Sequence, residues 1–361
     1  MASIVFADNT GHYDGRDLEQ RPLGGTEASV IRLSRELALR GHTVSVLTNC
    51  DAPVSDRGVT FIPFGSPVPE SCDLYIAVQH PELLGLVKRP QRQAIWVLWQ
   101  PNTLKHYKKI WRMWLHRPVP ILMSLHQISI YSPFLPRRNP HILIPLGLPE
   151  DVRSLPRLDS LPGPNLIYAS NPQRNQHGIV RIFADYILPA RPDARLKIYG
   201  SMVPVEDPWK AWSGNVLPAD LPEPVRRAIS IIPAAPREEL IAAFRSSRAL
   251  IYLGHKAEAF CLTLAEAQAC GLPCVVAPLT VLPERIIDGQ TGFVRADPQE
   301  FAKAALSLLN DDALWQRQHE AAIHNQKGVS WPEVAARFEA ALLYDKIDTS
   351  RSWSSKPRLI S

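Results

Sequence analysis

Residues 254–277 read GHKAEAFCLTLAEAQACGLPCVVA. The run opens as a loop, Gly271-Leu272-Pro273 stops a helix over 262–270, and Cys274-Val275-Val276-Ala277 begins a strand. A helix starting near Cys261 to Thr263 presents unpaired N–H groups and a positive dipole end, which together form an anion site. Thr263 adds a hydroxyl there. Glu258 lies just before that start and Glu266 on the second turn, so one carboxylate flanks each side of a bound diphosphate. Burying a carboxylate without a partner is costly. Hydroxyls at the two ends of a sugar nucleotide would offset that cost. Two glutamates eight positions apart are a common surface pattern, so the surroundings must decide.

Outward from this stretch the chain alternates strands and helices. "NLIYAS", "LKIYG", "ISIIP", "ALIYLG", "CVVA" and "GFVRA" are strand candidates, with helices near 177–188, at "REELIAAFRSS" behind Pro236, and over 262–270. The N-terminal part has the same grammar: "SIVFA", the helical "EASVIRLSRELALRG", "HTVSVLT", then "DLYIAV", "AIWVLW", "PILMSL" and "HILIPL". Such alternation predicts parallel sheets covered by helices. Residues 145–165 carry five prolines and read as a linker. The expected organisation is an N-terminal Rossmann-like domain over 1–150 and a second over 151–330. A helix over 331–348, crossing back to the first domain, follows a helical pattern at 299–325, and 349–361 form a frayed tail. Ligands of such domains bind at the carboxyl ends of the strands.

With 361 residues, 45% hydrophobic and 21% charged, the chain reads as globular and large enough for two domains. No apolar run reaches the ~18–20 residues of a membrane span, and the first residues lack signal-peptide character. The five cysteines have no framework spacing and read as reduced, buried thiols of a cytoplasmic protein. Neither CxxC nor HExxH occurs, which disfavours zinc; no GxGxxG follows a strand, which disfavours a dinucleotide dehydrogenase. No helix-turn-helix, zinc-finger or RNP pattern supports nucleic-acid binding.

The stretch 254–277 resembles the family 4 glycosyltransferases of the GT-B fold, whose donor domain carries E-G-F-G-L-x-x-x-E-A followed by A-x-G-x-P-V-V-A. "PERIIDGQTGFV" is similar to the family's PE-x-x-x-D-G-x-T-G-x-L-V, and "GGTEASVIRLSRELALRGHTVSVLT" to its first loop, helix and second strand. The resemblance covers most of 1–345 and is weakest in the middle. It implies an α/β GT-B fold, two Rossmann-like parallel-sheet domains facing a central cleft. It also implies retaining transfer of a sugar from a UDP-, GDP- or ADP-linked donor, without a metal or cofactor, the nucleotide sugar being a co-substrate. Glu258 would sit at the donor sugar, near the anomeric carbon, and position it. Glu266 would hold the ribose hydroxyls. The N–H groups of Phe260, Cys261 and Leu262, with Thr263, would meet the diphosphate or sugar. Gly24 and Gly25 would let the first loop approach the phosphates. His80, at the end of an N-domain strand, would face the donor sugar. The leaving phosphate would help deprotonate the acceptor.

The chain departs from that pattern at several points. Ala259 and Cys261 replace the two glycines of E-G-F-G, and Val281-Leu282 replace a Gly-Gly. In "YASNPQRNQHG" Arg174 takes the place of the family's Lys, while Ser170 or Asn171 takes that of its Arg. One arginine can bind phosphate in bidentate fashion. Lys256 is a candidate for the missing cation. Such departures keep open a catalytically degenerate nucleotide-sugar-binding partner protein as the alternative.

Residues 83–149 contain no Asp or Glu but ten Lys and Arg, including Arg137 and Arg138, a field that attracts an anionic partner. Within them "LKHYKKIWRMWLHR" mixes cations with Trp111, Met113, Trp114 and Leu115. Three readings stand: docking on an anionic membrane at its inner face, binding of a phosphorylated or acidic acceptor, or a solvated helix that uses its tryptophans to pack. Gln100, Lys108 and Arg112 are the acceptor-side candidates, for a sugar, glycolipid or polysaccharide precursor.

Overall fold

The computed structural model describes residues 1–136, 142–201, 217, 218 and 220–344, with only the backbone for Tyr107, Lys108 and Ser201. The side chains of Lys108, Arg137 and Arg138 and the tail 349–361 therefore lie outside the described residues. The chain forms two compact units: Met1–Gly147 together with the chain from Val329 onward, and Leu148–Gly328.

In the first unit, strands β1 (Ser3–Ala7), β2 (Thr43–Thr48), β3 (Val54–Asp56), β4 (Val59–Pro63), β5 (Ser71–Val78), β6 (Arg89–Trp96), β7 (Val119–Leu122) and β8 (Ile142–Leu143) form one sheet. Among the described residues its order is β3-β4-β2-β1-β5-β6-β7-β8. All neighbours are parallel except β3 and β4, a hairpin whose turn is Arg57-Gly58, both at positive φ. That hairpin escapes the alternation pattern because β3 has only three residues; its signal is the Arg-Gly turn. Helix α1 (Gly25–Leu39) joins β1 to β2 and buries Val30, Ile31, Leu33 and Leu37, one face of a 3.6-residue period. Helix α2 (Tyr107–His116) carries the basic aromatic stretch. Alternate residues of adjacent strands, Val5 and Ala7, Tyr75 and Ala77, and Ile95 with Val97 just past β6, share one core with Met113 and Leu135.

In the second unit, β9 (Asn165–Ala169), β10 (Arg195–Ser201), β11 (Ile229–Pro233), β12 (Ala249–Tyr252), β13 (Cys274–Val276) and β14 (Gly292–Val294) form a parallel sheet, ordered β11-β10-β9-β12-β13-β14. Helices α3 (Glu150–Arg153), α4 (Gln176–Ile182), α5 (Arg237–Arg245), α6 (Leu262–Ala269), α7 (Leu282–Arg285), α8 (Pro298–Asn310) and α9 (Asp312–Asn325) accompany it. The pattern at 299–325 is thus two helices, broken at Asp311, whose carboxylate accepts from the Leu314 N–H and caps the second. The proline-rich run expected as a linker is folded onto this unit. Its α3 is tied to Lys327 O by Arg153, and Leu158 N donates to His319 Nε2 at 2.9 Å.

The chain then returns to the first unit as α10 (Trp331–Glu339). Ser330 and Glu333 form a reciprocal capping box at its start. Phe338 meets the buried Trp96 edge-on at 5.3 Å, a geometry that adds ~0.5–1.5 kcal/mol to area burial. Glu339 accepts from Arg40 at 2.5 Å and lies 2.7 Å from His42 Nε2. Burial pushes the Glu339 carboxyl up, but the Arg40 and His42 bonds outweigh it and hold the group below its ordinary value.

Candidate functional site

Each sheet grows outward in both directions from its first strand. The order reverses between β1 and β5 in one unit and between β9 and β12 in the other, so each unit has a crevice where two carboxyl-end loops diverge.

In the second unit the loops after β9 and β12 meet through side chains. Glu258, with 2% of its side chain exposed, accepts from Arg174 Nη1 at 2.5 Å on Oε1. The Tyr252 hydroxyl donates to the same oxygen in a short bond, and Ser170 Oγ lies 3.4 Å from that hydroxyl. The Tyr168 hydroxyl pins the arginine's loop by bonding Asn171 O and Arg174 O at 2.7 and 3.3 Å. Burial disfavours the Arg174 charge, yet the Glu258 carboxylate and the Tyr252 oxygen more than restore it, leaving the guanidinium above its ordinary value. Burial and the neighbouring Cys261 and Glu258 raise the Tyr252 phenol, so it stays a donor.

Cys261 caps α6 with φ 62° and ψ 72°, the left-handed region. The backbone thus keeps a glycine-like conformation at a position where the resembling family has glycine, at a strain of ~1–2 kcal/mol. Burial first, then the Glu258 charge, pushes its thiol well up, so it is no thiolate nucleophile. Phe260 is buried beside it, and Leu262 and Thr263 are half-buried on the first turn of α6. Glu266, one turn on, accepts from Arg237 Nη1 at 2.6 Å, while Arg237 Nε and Nη2 grip Asp151 at 2.5 and 2.9 Å. The structure therefore brings Glu258, Arg174 and Ser170 together and gives Glu266 a separate cation. Lys256 is exposed. Sequence reading missed Tyr252, Arg237 and Asp151; the visible signals were a tyrosine ending an apolar strand and an arginine directly behind Pro236.

In the first unit, the fully buried Asp8 follows β1 and accepts from Tyr13 OH at 2.7 Å and from Thr10 Oγ1 and N at 3.0 Å each. Burial lifts its carboxyl above the ordinary value although these bonds pull it down. Burial lifts Glu27, in the first turn of α1, as well. A β-carbon at Gly24 or Gly11 would come within 2.3 or 2.6 Å of a Glu27 carboxylate oxygen, so either substitution would make that side chain shift. Gly25 is the first residue of α1.

After β5, Gln79 takes φ 59°, donates to Thr103 Oγ1 at 2.9 Å and accepts from Trp99 N at 2.8 Å. This turn sets His80 edge-on to Trp99 at 5.4 Å. Burial and Lys109 lower the His80 imidazole below its ordinary value, against Glu82 and Asp8. Gln100 is buried and its carbonyl accepts from Thr103 Oγ1. Arg112 donates to Glu82 O and Leu84 O at 3.3 and 3.4 Å, and Lys109 pairs with Glu82 at 3.0 Å. On α2, Met113 is buried while Trp111, Trp114 and Leu115 are 44–65% exposed. No helix among the described residues is long and apolar enough to cross a membrane.

Residues 168–325 match the family described as glycosyl transferases group 1. D-inositol 3-phosphate glycosyltransferase of Thermobifida fusca is 27% identical over 221 residues, 58% of this chain and 46% of the relative. The chain thus matches less than half the length of that curated relative. Among solved structures, WaaG, a glycosyltransferase involved in lipopolysaccharide biosynthesis, superposes with a TM-score of 0.69 at 14% identity, covering 95% of this chain and 100% of the other. Anabaena Alr3699/HepE in complex with UDP-glucose gives 0.69 at 14% identity, covering 95% and 99%. The chain has the GT-B fold, and over residues 168–325 it is similar to the group 1 glycosyl transferases.

Proposed function

We propose that the protein transfers a sugar from a nucleotide-sugar donor to an acceptor hydroxyl, with retention of anomeric configuration and without a metal. The observation that carries this reading is the Arg174–Glu258–Tyr252 cluster at the crevice of the second unit. A carboxylate oxygen already engaged by a cation and a phenol is a poor attacking group, which favours Glu258 as a positioning acceptor for sugar hydroxyls over a double-displacement nucleophile. Arg174 offsets charge developing on the leaving diphosphate, and the start of α6 supplies N–H donors. Glu266 takes the nucleotide ribose. UDP is the first donor base to try, since Alr3699/HepE holds UDP-glucose.

The acceptor belongs with the first unit, and a polysaccharide or glycolipid precursor fits its basic span. The exposed Trp111, Trp114 and Leu115 beside Arg112 favour peripheral docking on an anionic membrane surface. Calorimetric titration with UDP-, GDP- and ADP-sugars tests the donor site, with Glu266→Ala as control. One donor that binds and is weakened in the variant supports the reading. No binding of any donor at millimolar concentration sinks it.

A further inference from the structure

Arg285 ends the short helix α7, which follows β13 and so stands at the carboxyl edge of the second sheet. Its guanidinium carbon lies 4.4 Å from the centroid of the Phe260 ring. Only 20% of its side chain is exposed, and its nearest carboxylate among the described residues is Glu284 at 3.9 Å, beyond hydrogen-bond reach. Nε is buried without a partner, and none of the five N–H donors makes a hydrogen bond to a described residue. Arg174 and Arg237 in the same unit each grip a carboxylate. Burial pulls Arg285 below the ordinary arginine value, and Glu284 and Cys261 compensate only in part.

An arginine desolvated to this degree without an anion is costly, and stacking on a phenyl ring offsets only part of that cost. The side chain is nevertheless held in place. Leu282, at the other end of α7, is fully buried, and a β-carbon at Gly254 would strike it, so α7 is wedged against the loop after β12. Thr280, leading into α7, takes φ 51°, a strained conformation for a β-branched residue, and such strain concentrates at ligand-facing loops. Phe260, on which the cation rests, directly precedes Cys261, the cap of α6, whose first-turn N–H groups also favour an anion.

We propose that Arg285 is an anion-binding residue of the donor site, taking an anionic group on the phosphosugar half of the donor. This rests on the nucleotide-sugar reading above and supplies, from a different element, the second cation missing at Ser170 or Asn171. Two sources offer that chemistry: the leaving diphosphate, or a carboxylate carried by the sugar.

The test compares wild type, Arg285→Gln and Arg285→Lys by calorimetry against UDP, GDP and ADP, each alone and as its glucose conjugate, and against UDP-glucuronate. Loss of one charged hydrogen-bonding partner should weaken binding by about 10- to 100-fold in Arg285→Gln, with partial rescue in Arg285→Lys. Weakening of the nucleoside diphosphate alone assigns the diphosphate. Weakening confined to UDP-glucuronate assigns the sugar carboxylate. Equal affinities of wild type and Arg285→Gln for every probe overturn the proposal while leaving the nucleotide-sugar reading intact, whereas wild type that retains no probe overturns both. Should the variants misfold, phenylglyoxal modification of Arg285 in the wild type is mapped by mass spectrometry with and without UDP, GDP, ADP and UDP-glucuronate. Protection supports the assignment, and unchanged modification with a bound probe refutes it.

Discussion

The crevices of the two sheets use the same connectivity and opposite chemistry. After its first strand the N-terminal unit places Asp8, with Glu27 nearby on α1, both lifted toward their neutral forms by burial. After its first strand the second unit places Arg174, and further loops of that edge add Arg237 and Arg285. A parallel sheet fixes where loops converge, while the few residues after each strand fix which charge waits there. On this contrast the second unit is the one whose crevice suits an anionic group.

The sharpest way to break the contrast is to remove its centre. Glu258→Ala should lower turnover by about 100-fold or more, as loss of a preorganised polar contact at a reacting centre does. Nucleotide affinity should stay within about threefold of wild type; an equal loss of affinity would move Glu258 from the sugar to the nucleotide. Arg237→Ala should weaken nucleotide binding by about tenfold, as should Glu266→Ala, and the double variant should be no weaker than either single one. Additive losses would separate Arg237 from the Glu266 carboxylate.

The first unit has its own test away from the crevice. Glu339→Gln should cost ~1–2 kcal/mol of unfolding free energy at pH 7 in urea titrations. Because the folded Glu339 carboxyl is held below its ordinary value of 4.5, its contribution is present above that value and is lost as pH falls through the folded value. The variant's deficit should therefore shrink at low pH. For His80 the shift is downward from 6.5, so the neutral imidazole should persist and the acid limb of activity should fall at a midpoint below 6.5. His80→Gln should remove that limb. The smallest effect is expected at Cys261. Relief of the positive φ offsets the lost thiol, so Cys261→Gly should change stability by less than ~1 kcal/mol. Cys274→Gly, inside a buried strand, should cost ~2–3 kcal/mol.

Strands, helices and the two-unit organisation were legible because periodicity and turn residues are local. The partners of the carboxylates were not. Arg174 reaches Glu258 across 84 positions, and Arg237 reaches Asp151 across 86. No linear spacing encodes such a pair; it exists once parallel strands bring their ends together. Asp311 was a readable signal, since an Asn-Asp-Asp run inside a helical pattern is a cap waiting to be used. The proline-rich run does hold the boundary between the units, at Gly147 and Leu148, but its later part is folded onto the second. Proline stiffens a segment whether it hangs between domains or lies folded on one, and hydrogen bonds such as that of Leu158 N to His319 decide which.

The return of α10 to the first unit has a consequence for synthesis. The second unit is one uninterrupted stretch, Leu148–Gly328, whereas the first is closed by residues made some 180 positions after its sheet. On a ribosome the later-encoded unit has all of its chain first, and the earlier one waits with Trp96 uncovered and Arg40 and His42 without Glu339. A chain stopped at Gly328 would hold a whole second unit and an unfinished first one. Premature termination near the end should therefore send this protein to chaperones or proteases through its N-terminal half.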